Sequence, residues 1–380
     1  MGNTARQPLV SIVITLYNGA RFISWPLLSC MHQTYRNLDI LVLDDASTDD
    51  TEAVVKQYAE QDKRIRYVRN EKNIGYARSL HKVAWLAMGE YVQLLGADDW
   101  LERNYIETVV EEFEKHPKAA CVAAEIISLR IMPEGNFKLI DGYLPKKKTI
   151  SKDTFIRSVY RSDVGSTLTP LALFRKEDFL ESAGFMKEMF EHPPQNVPPE
   201  LPALQLKGHG TGDLFLLKTI HKYDYLILTD KTAFMKTEHF ENANKPHNLT
   251  IDWTSAGRIL RSYYYGRLGF EYLFRNAYRN FWAGFRLFFG TDPFVSIFVT
   301  FVKQNFKYDF FSDLKREDMK TYFADYSLFE KIVSAFFLPI HFMARAAHFL
   351  FIRPLDTSRR HDINVRQQGY FLDEAGRFQA

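Results

Sequence analysis

Two adjacent carboxylates, Asp98 and Asp99, follow a short apolar run and are well suited to chemistry. Carboxylate oxygens are hard ligands that Mg²⁺ and Mn²⁺ accept, and such metals commonly bridge the oxygens of a bound diphosphate. A metal in that position neutralises the charge that develops on a departing diphosphate. The pair predicts a divalent metal site, with Mn²⁺ or Mg²⁺ as cofactor; the alternative is a solvated acidic turn.

A second acidic pair, Asp44 and Asp45, also follows an apolar run. A carboxylate accepts hydrogen bonds from a pyrimidine N–H or from ribose hydroxyls, so this pair predicts nucleotide recognition. Tyr17 and Asn18 end the first apolar run of the chain, and the tyrosine ring is suited to stacking on a base. The alternatives are an acidic turn for the pair and a packing role for the tyrosine.

The elements that position these clusters alternate between strand and helix. The apolar runs predict strands over residues 9–16, 39–43, 65–68, 91–95 and 120–128, separated by helices over 24–33, 48–61, 75–88 and 103–115. This alternation predicts an α/β fold with a mostly parallel sheet, in which ligands bind outside the carboxyl ends of the strands. The polar clusters all follow strands, so we expect them to share one edge of the sheet.

The same stretches resemble a known family, the inverting glycosyltransferases of family 2, which have the Rossmann-like GT-A fold. The matching segments read VSIVITLYN, SCMHQTYRNLDILVLDDASTDDT and NEKNIGYARSLHKVAWLAMGEYVQLLGADDWL, and they cover roughly residues 8–130 in the family's order and spacing. The resemblance implies a nucleotide-sugar donor, with a UDP-sugar favoured. The nucleotide-binding candidates are Thr15, Tyr17, Asn18, Asp44, Asp45, Asn73, Arg78 and Asp98.

The resemblance also implies that Asp98 and Asp99 share the metal and ribose contacts. The family often has a further aspartate at the position of Gly96, so the division of these contacts between the two residues stays open. An inverting transfer needs a general base, which in the family is an acidic residue at the start of a helix. Asp213, after Gly212, is the counterpart; a simple helix N-cap is the alternative.

The segment FMKTEHFEN, residues 234–242, resembles a family segment in which a basic residue and a histidine approach the diphosphate or the metal. The resemblance makes His239 a candidate third metal ligand and Lys236 a candidate phosphate contact. Surface or packing roles are the alternatives for both side chains.

Residues 251–380 are aromatic and basic and are predicted to form a helical region. Residues 328–352 carry a narrow polar stripe on a broad apolar helix, and residues 274–289 space three arginines among aromatic side chains. Both patterns favour peripheral helices on an anionic membrane surface over a spanning helix. Packing of these helices on each other, or a homo-oligomer interface, remains the alternative.

Composition narrows the partners and the compartment. The net charge of +3 gives no indication of nucleic acid as a partner. The two cysteines, Cys30 and Cys121, lie far apart, and residues 1–8 contain no apolar run typical of a signal peptide. These features predict a cytoplasmic protein, peripheral on the inner face of the cell membrane. No phosphate-binding loop or dinucleotide fingerprint supports an ATPase or an NAD enzyme.

We therefore predict a GT-A catalytic domain over residues 8–250, with a nucleotide-sugar half over about 8–130 and an acceptor half over about 131–250. The predicted function is metal-dependent, inverting transfer of a hexosyl or N-acetylhexosaminyl group to a hydroxyl of a saccharide or lipid-linked saccharide, in surface polysaccharide assembly. The alternatives are a catalytically inactive GT-A domain that serves as a scaffold, and a nucleotidyltransferase.

Overall fold

The computed structural model describes residues 7–132, 136–145, 148–152, 155, 171–191, 219–238 and 357–360. The strands are β1 Val10–Leu16, β2 Leu38–Asp44, β3 Ile65–Arg69, β4 Tyr91–Leu94, β5 Trp100–Leu101, β6 Ala119–Ile131, β7 Phe137–Pro145, β8 Thr149–Ser151, β9 Leu173–Arg175, β10 Tyr225–Glu238 and β11 Thr357–Arg360. The helices are α1 Ser24–Met31, α2 Thr51–Gln61, α3 Tyr76–Leu86, α4 Tyr105–Lys115 and α5 Lys176–Glu191, with a 3₁₀ turn at Ile220–Lys222.

The predicted α/β fold with a mostly parallel central sheet flanked by helices is confirmed. Strands β3, β2, β1 and β4 are parallel neighbours in that order. Leu16 lies opposite Asp44, and Val13 lies opposite Leu94. The carboxyl ends of β1, β2 and β4 therefore lie along one edge of the sheet.

Alternating apolar side chains on the parallel strands pack against a helical layer on each face of the sheet. Ile12 and Ile14 of β1 belong to the core that includes side chains of α1, α2 and α4. Val13, which points the other way, belongs to the core that includes side chains of α3 and α5. Each fully buried side chain of this size contributes about 2 kcal/mol of transfer free energy. The parallel strands are thus packed between two apolar cores, one on each face of the sheet.

The second half of the sheet is assembled differently, because β9, β6 and β7 follow β4 in antiparallel order. The long strand β10 runs parallel to β6 and also pairs with β5, where Met235 lies opposite Trp100. Since β5 begins directly after Asp99, this pairing brings the end of β10 to the acidic pair.

The described C-terminal residues add one more strand, where the sequence predicts a helical region. Thr357–Arg360 forms β11 and pairs antiparallel with β7. The edge of β7 offers backbone hydrogen-bonding groups that an extended segment satisfies and a helix does not. The predicted helices over 274–289 and 328–352 lie outside the described residues. Within the described part of the chain, no helix is long and apolar enough to cross a membrane.

Candidate active site

The loops that follow β1, β2 and β4 adjoin one another at the carboxyl edge of the sheet. The backbone N–H of Asp45 donates to the carbonyl oxygen of Leu16 at 2.8 Å, which joins the first two loops. A Cβ built on Gly19 would lie 3.9 Å from the Cβ of Ala97, which places the third loop beside the first. The three polar clusters that the sequence singles out therefore share one rim.

The acidic pair Asp98–Asp99 lies in the loop between β4 and β5, and β10 holds it in place. Asp99 is only 8% exposed, and its Oδ1 accepts a hydrogen bond from the backbone N–H of Thr237 at 2.8 Å. The Oγ1 of Thr237 donates to the carbonyl oxygen of Asp98 at 2.7 Å. Two hydrogen bonds thus connect the loop to a strand that lies far away in sequence. The sequence reasoning did not identify Thr237.

Gly96 leaves open the space toward which the two carboxylates project. A Cβ built on Gly96 would lie 2.6 Å from Oδ2 of Asp99 and 3.0 Å from Oδ1 of Asp98. The first distance is too short for a real contact, so a side chain here would push the carboxylates aside. The arrangement of the two carboxylates in this chain therefore requires a glycine at position 96.

The electrostatics of the pair favour a cation. Burial raises the pKa of Asp99 well above the ordinary carboxyl value, and the neighbouring charge of Asp98 raises it further. The backbone N–H of Thr237 and the ammonium group of Lys236 act in the opposite direction. Lys236 is half-buried on β10 and acts on Asp99 through its charge. A carboxyl group whose pKa is raised by burial and by a neighbouring carboxylate is typical of functional sites.

The donor set fits a divalent cation of the Mg²⁺ or Mn²⁺ type, because both side chains offer hard oxygen ligands directed to a common space. Among the described residues, no three histidine, cysteine, aspartate or glutamate side chains are grouped to hold a metal alone. The two other functional candidates downstream, Asp213 and His239, lie outside the described residues.

Asp44, a predicted nucleotide contact, is held by hydrogen bonds within the turn after β2. Its side chain is fully buried, and its oxygens accept hydrogen bonds from the Tyr67 hydroxyl at 2.6 Å and Arg69 Nη1 at 2.9 Å. The backbone N–H of Ser47 donates to Oδ1 at 2.7 Å. Asp44 therefore fixes the turn after β2 and the neighbouring strand β3.

Asp45 connects the end of β2 to the start of α3. Its Oδ1 accepts hydrogen bonds from Asn70 Nδ2 at 2.8 Å and from the Ile74 N–H at 2.9 Å, and its Oδ2 accepts from the Gly75 N–H at 2.8 Å. Lys82 Nζ in turn donates to Asn70 Oδ1 at 2.6 Å. A carboxylate at this place satisfies amides at the start of a helix, and Oδ2 keeps capacity for a further donor.

The loop that carries Tyr17 is locked to the loop after β2. Asn18 adopts a positive φ of 54°, its Oδ1 accepts from the Thr48 N–H, and its own N–H donates to Ser47 Oγ, both at 2.8 Å. Ala46 also has a positive φ, of 64°. The side chain of Asn18 thus shapes the loop, whereas Tyr17 is 49% exposed at the rim.

The remaining nucleotide candidates lie at the same rim. Thr15 is half-buried near the end of β1, opposite Leu43. Asn73 is exposed, and its Oδ1 accepts from the Gly75 N–H at 3.1 Å. Arg78 Nε donates to Oε1 of Glu191 at 2.9 Å. Glu191 lies in the last turn of α5, and the sequence reasoning missed it.

Comparison with known proteins finds glycosyltransferases that are similar to the first half of the chain. The model of the family described as "Glycosyl transferase family 2" matches residues 11–179. An uncharacterized glycosyltransferase of Haemophilus influenzae is 36% identical over 109 residues, which are 29% of this chain and 34% of that protein. The chondroitin synthase of Escherichia coli is 34% identical over 138 residues, which are 36% of this chain and 20% of that protein. The chain thus spans about a third or less of the length of these curated relatives.

A solved structure shares the fold. Residues 1–349 of TarS from S. aureus, crystallised in complex with UDP-GlcNAc, superpose with a TM-score of 0.54 at 15% sequence identity. The match covers 83% of this chain and 78% of the TarS fragment. The GT-A fold expected from the sequence is therefore the fold observed.

Proposed function

We propose that this protein transfers a sugar from a nucleotide diphosphate sugar to a hydroxyl group, because residues 11–179 match the model of glycosyl transferase family 2. The observation that carries the proposal is the convergence of the Asp98 and Asp99 carboxylates over Gly96, beside the loop that presents Tyr17. A UDP-sugar is the favoured donor, in keeping with the UDP-GlcNAc in the TarS crystal structure.

The nucleotide lies at the carboxyl edge of the parallel strands in this proposal. Tyr17, which is exposed, stacks on the base of the nucleotide, and Thr15 and Asp45 lie beside the nucleotide. Asn73 and Arg78 line the same rim on the side of α3. Asp44 and Asn18 act indirectly, because their side chains hold the two loops in shape.

Asp98 and Asp99 hold the divalent metal, Mn²⁺ or Mg²⁺, in this proposal. When bound, that metal neutralises the charge on the departing nucleoside diphosphate. Thr237 and Gly96 keep the two carboxylates in position. Lys236 supplies a positive charge that acts on Asp99. His239 is the proposed third protein ligand.

Asp213 is the proposed general base. It takes the proton of the acceptor hydroxyl as the hydroxyl oxygen attacks the anomeric carbon and the bond to the diphosphate oxygen breaks, which inverts the configuration. We expect Asp213→Asn to bind the UDP-sugar with unchanged affinity and to lose transfer by about a hundredfold or more. Donor binding by calorimetry and product formation by chromatography measure the two effects, and normal turnover in this variant would remove Asp213 from the mechanism.

The acceptor is a saccharide or lipid-linked saccharide, a proposal supported by the relationship to a chondroitin synthase. The aromatic, basic stretches at 274–289 and 328–352 support contact with the inner face of the cell membrane, where a cytoplasmic enzyme of surface polysaccharide assembly meets lipid-linked substrates. Sedimentation with anionic vesicles tests this contact, and an equal distribution with neutral and anionic vesicles would contradict it.

The decisive experiment is a panel of nucleotide sugars tested for thermal stabilisation with and without Mn²⁺, followed by a transfer assay with the best donor. Specific binding raises the apparent stability by mass action, so a donor should raise the melting temperature only when the metal is present. Binding without hydrolysis or transfer would indicate a scaffold protein. Stabilisation by a nucleoside triphosphate together with a sugar phosphate would indicate a nucleotidyltransferase instead.

A further inference from the structure

Thr237 makes two contacts with the acidic loop through two different groups. Its backbone N–H donates to Oδ1 of Asp99, and its hydroxyl donates to the carbonyl oxygen of Asp98. Thr237 is itself buried, at 2% exposure, and lies near the end of β10. The two hydrogen bonds therefore form in a place with little water, where a partner that is lost is not replaced.

The two contacts determine which oxygen of Asp99 faces the open space. Because Oδ1 is directed to β10 by the Thr237 N–H, Oδ2 is the oxygen that lies with Oδ1 of Asp98 over Gly96. The hydroxyl contact fixes the loop backbone one residue earlier, at Asp98. The orientation of both carboxylates thus depends on a residue that lies more than a hundred positions away in the chain.

We propose that Thr237 is a positioning residue for the cation site, and that its hydroxyl holds Asp98 and Asp99 in the geometry that binds a divalent metal together with a nucleoside diphosphate. This inference rests on the proposed function. It means that the site is completed only when β10 has paired with β5 and β6, even though both carboxylates come from the first half of the chain. The loss of a group that orients a metal ligand typically lowers metal affinity by about ten- to a hundredfold.

The chain offers a matched control on the same strand. Thr232 is also 2% exposed, and its hydroxyl contacts Oδ1 of Asn104 at 3.0 Å and Oε2 of Glu102 at 3.3 Å rather than the acidic loop. Replacing either threonine by valine removes one buried hydroxyl and preserves the branched shape. A purely structural contribution predicts the same result for both variants, whereas the positioning role predicts a difference between them.

The test uses the full-length protein with MnCl₂ and UDP as probes. The quantity measured is the Mn²⁺ concentration at which UDP gives half of its maximal thermal stabilisation. We expect Thr237→Val to raise this concentration by about tenfold. Thr232→Val should leave it unchanged, and Thr237→Ser, which retains the hydroxyl, should restore it. If Thr237→Val does not fold, Thr237→Ala and Thr232→Ala replace the valine pair.

The outcomes separate the two levels of the argument. Equal Mn²⁺ requirements for Thr237→Val and Thr232→Val, with a normal response of the unaltered protein, would overturn the positioning role and leave the proposed function standing. Failure of the unaltered protein to respond to UDP and Mn²⁺ at all would overturn both. A raised requirement in Thr237→Val alone, reversed in Thr237→Ser, supports the proposal.

Discussion

Two buried aspartates at opposite ends of the parallel sheet have opposite electrostatic environments. Asp39, at the amino end of β2, accepts hydrogen bonds from the Ser11 hydroxyl at 2.6 Å and from Arg66 Nε at 2.6 Å. Burial by itself raises the pKa of Asp39, but these contacts and one from the Met88 N–H together lower it below the ordinary value. Asp99, beyond the carboxyl end of β4, has a raised pKa because burial and Asp98 act together.

The environments of Asp39 and Asp99 distinguish the amino end of the sheet from its carboxyl end. At the amino end the chain supplies its own cation and donors, so the charge of Asp39 is balanced within the fold. At the carboxyl end the fold brings two carboxylates together, and burial and the charge of Asp98 both raise the pKa of Asp99. The structural role of Asp39 and the proposed ligand-binding role of Asp99 thus differ by environment rather than by residue type.

Among the changes that test the comparison of Asp39 with Asp99, Asp99→Asn should have the largest effect. The metal-dependent response to UDP should weaken by about a hundredfold or more, because one of the two charged ligands is lost. The stability of the protein without ligand should not fall, because the amide oxygen keeps the hydrogen bond from Thr237 and no charge is buried. Thermal melts with and without UDP and Mn²⁺ measure both quantities. Undiminished donor binding would show that the metal site lies elsewhere.

The opposite pattern is expected for Asp39→Asn. This change breaks a buried ion pair, and we expect the free energy of unfolding to fall by about 2 kcal/mol, at the low side for such pairs because the Arg66 side chain is 32% exposed. The Mn²⁺ requirement for the response to UDP should stay the same. Urea unfolding at neutral pH measures the first quantity, and a loss of UDP binding by folded Asp39→Asn protein would break the comparison.

The pH dependence of this loss follows from the direction of the pKa shift. The pKa of Asp39 is lower in the folded protein than in the unfolded chain, so its contribution is present above the ordinary carboxyl pKa and is lost as the pH falls through the lowered value. The difference in unfolding free energy between the parent protein and Asp39→Asn should therefore shrink below about pH 4. A difference that grows on acidification would contradict the assignment.

A smaller effect is expected for Gly96→Ala. The added methyl group would meet Oδ2 of Asp99 at 2.6 Å, so the carboxylate must shift, which disturbs its hydrogen bond from the Thr237 N–H. We expect the Mn²⁺ requirement to rise by about tenfold, as for other changes that disturb ligand orientation, with a small fall in the melting temperature. An equal Mn²⁺ requirement in the two proteins would show that the space over Gly96 is not the binding space.

The parallel half of the fold follows from local patterns, and the sequence predicts it well. Strands β1 to β4 and helices α1 to α4 all appear close to their predicted positions, because apolar periodicity reports which face is buried. The start of α2 moves from residue 48 to Thr51, since the backbone and side chains of residues 47–49 are used to hold the loop after β1.

Contacts between distant segments could not be predicted in the same way. Adjacent Asp44 and Asp45 look alike in sequence, yet only the pairing of β2 with β3 brings Arg69 to one of them and leaves the other at the rim. Thr237 lies in the segment at 234–242, which gave roles to Lys236 and His239 only, and its contacts with the acidic loop depend on the antiparallel pairing of β10 with β5. Registers of this kind are set by tertiary packing, which a single sequence does not display.

The pairing of β11 with β7 has a practical consequence for studies of the C-terminal region. Strands β10 and β11, which precede and follow residues 239–356 in the chain, belong to the same sheet. Truncation before residue 357 would remove an outer strand and uncover the backbone of β7, which invites edge-to-edge aggregation. A shortened protein for vesicle-binding work should therefore lack only internal residues and retain Thr357–Arg360, so that insolubility is not mistaken for membrane attachment.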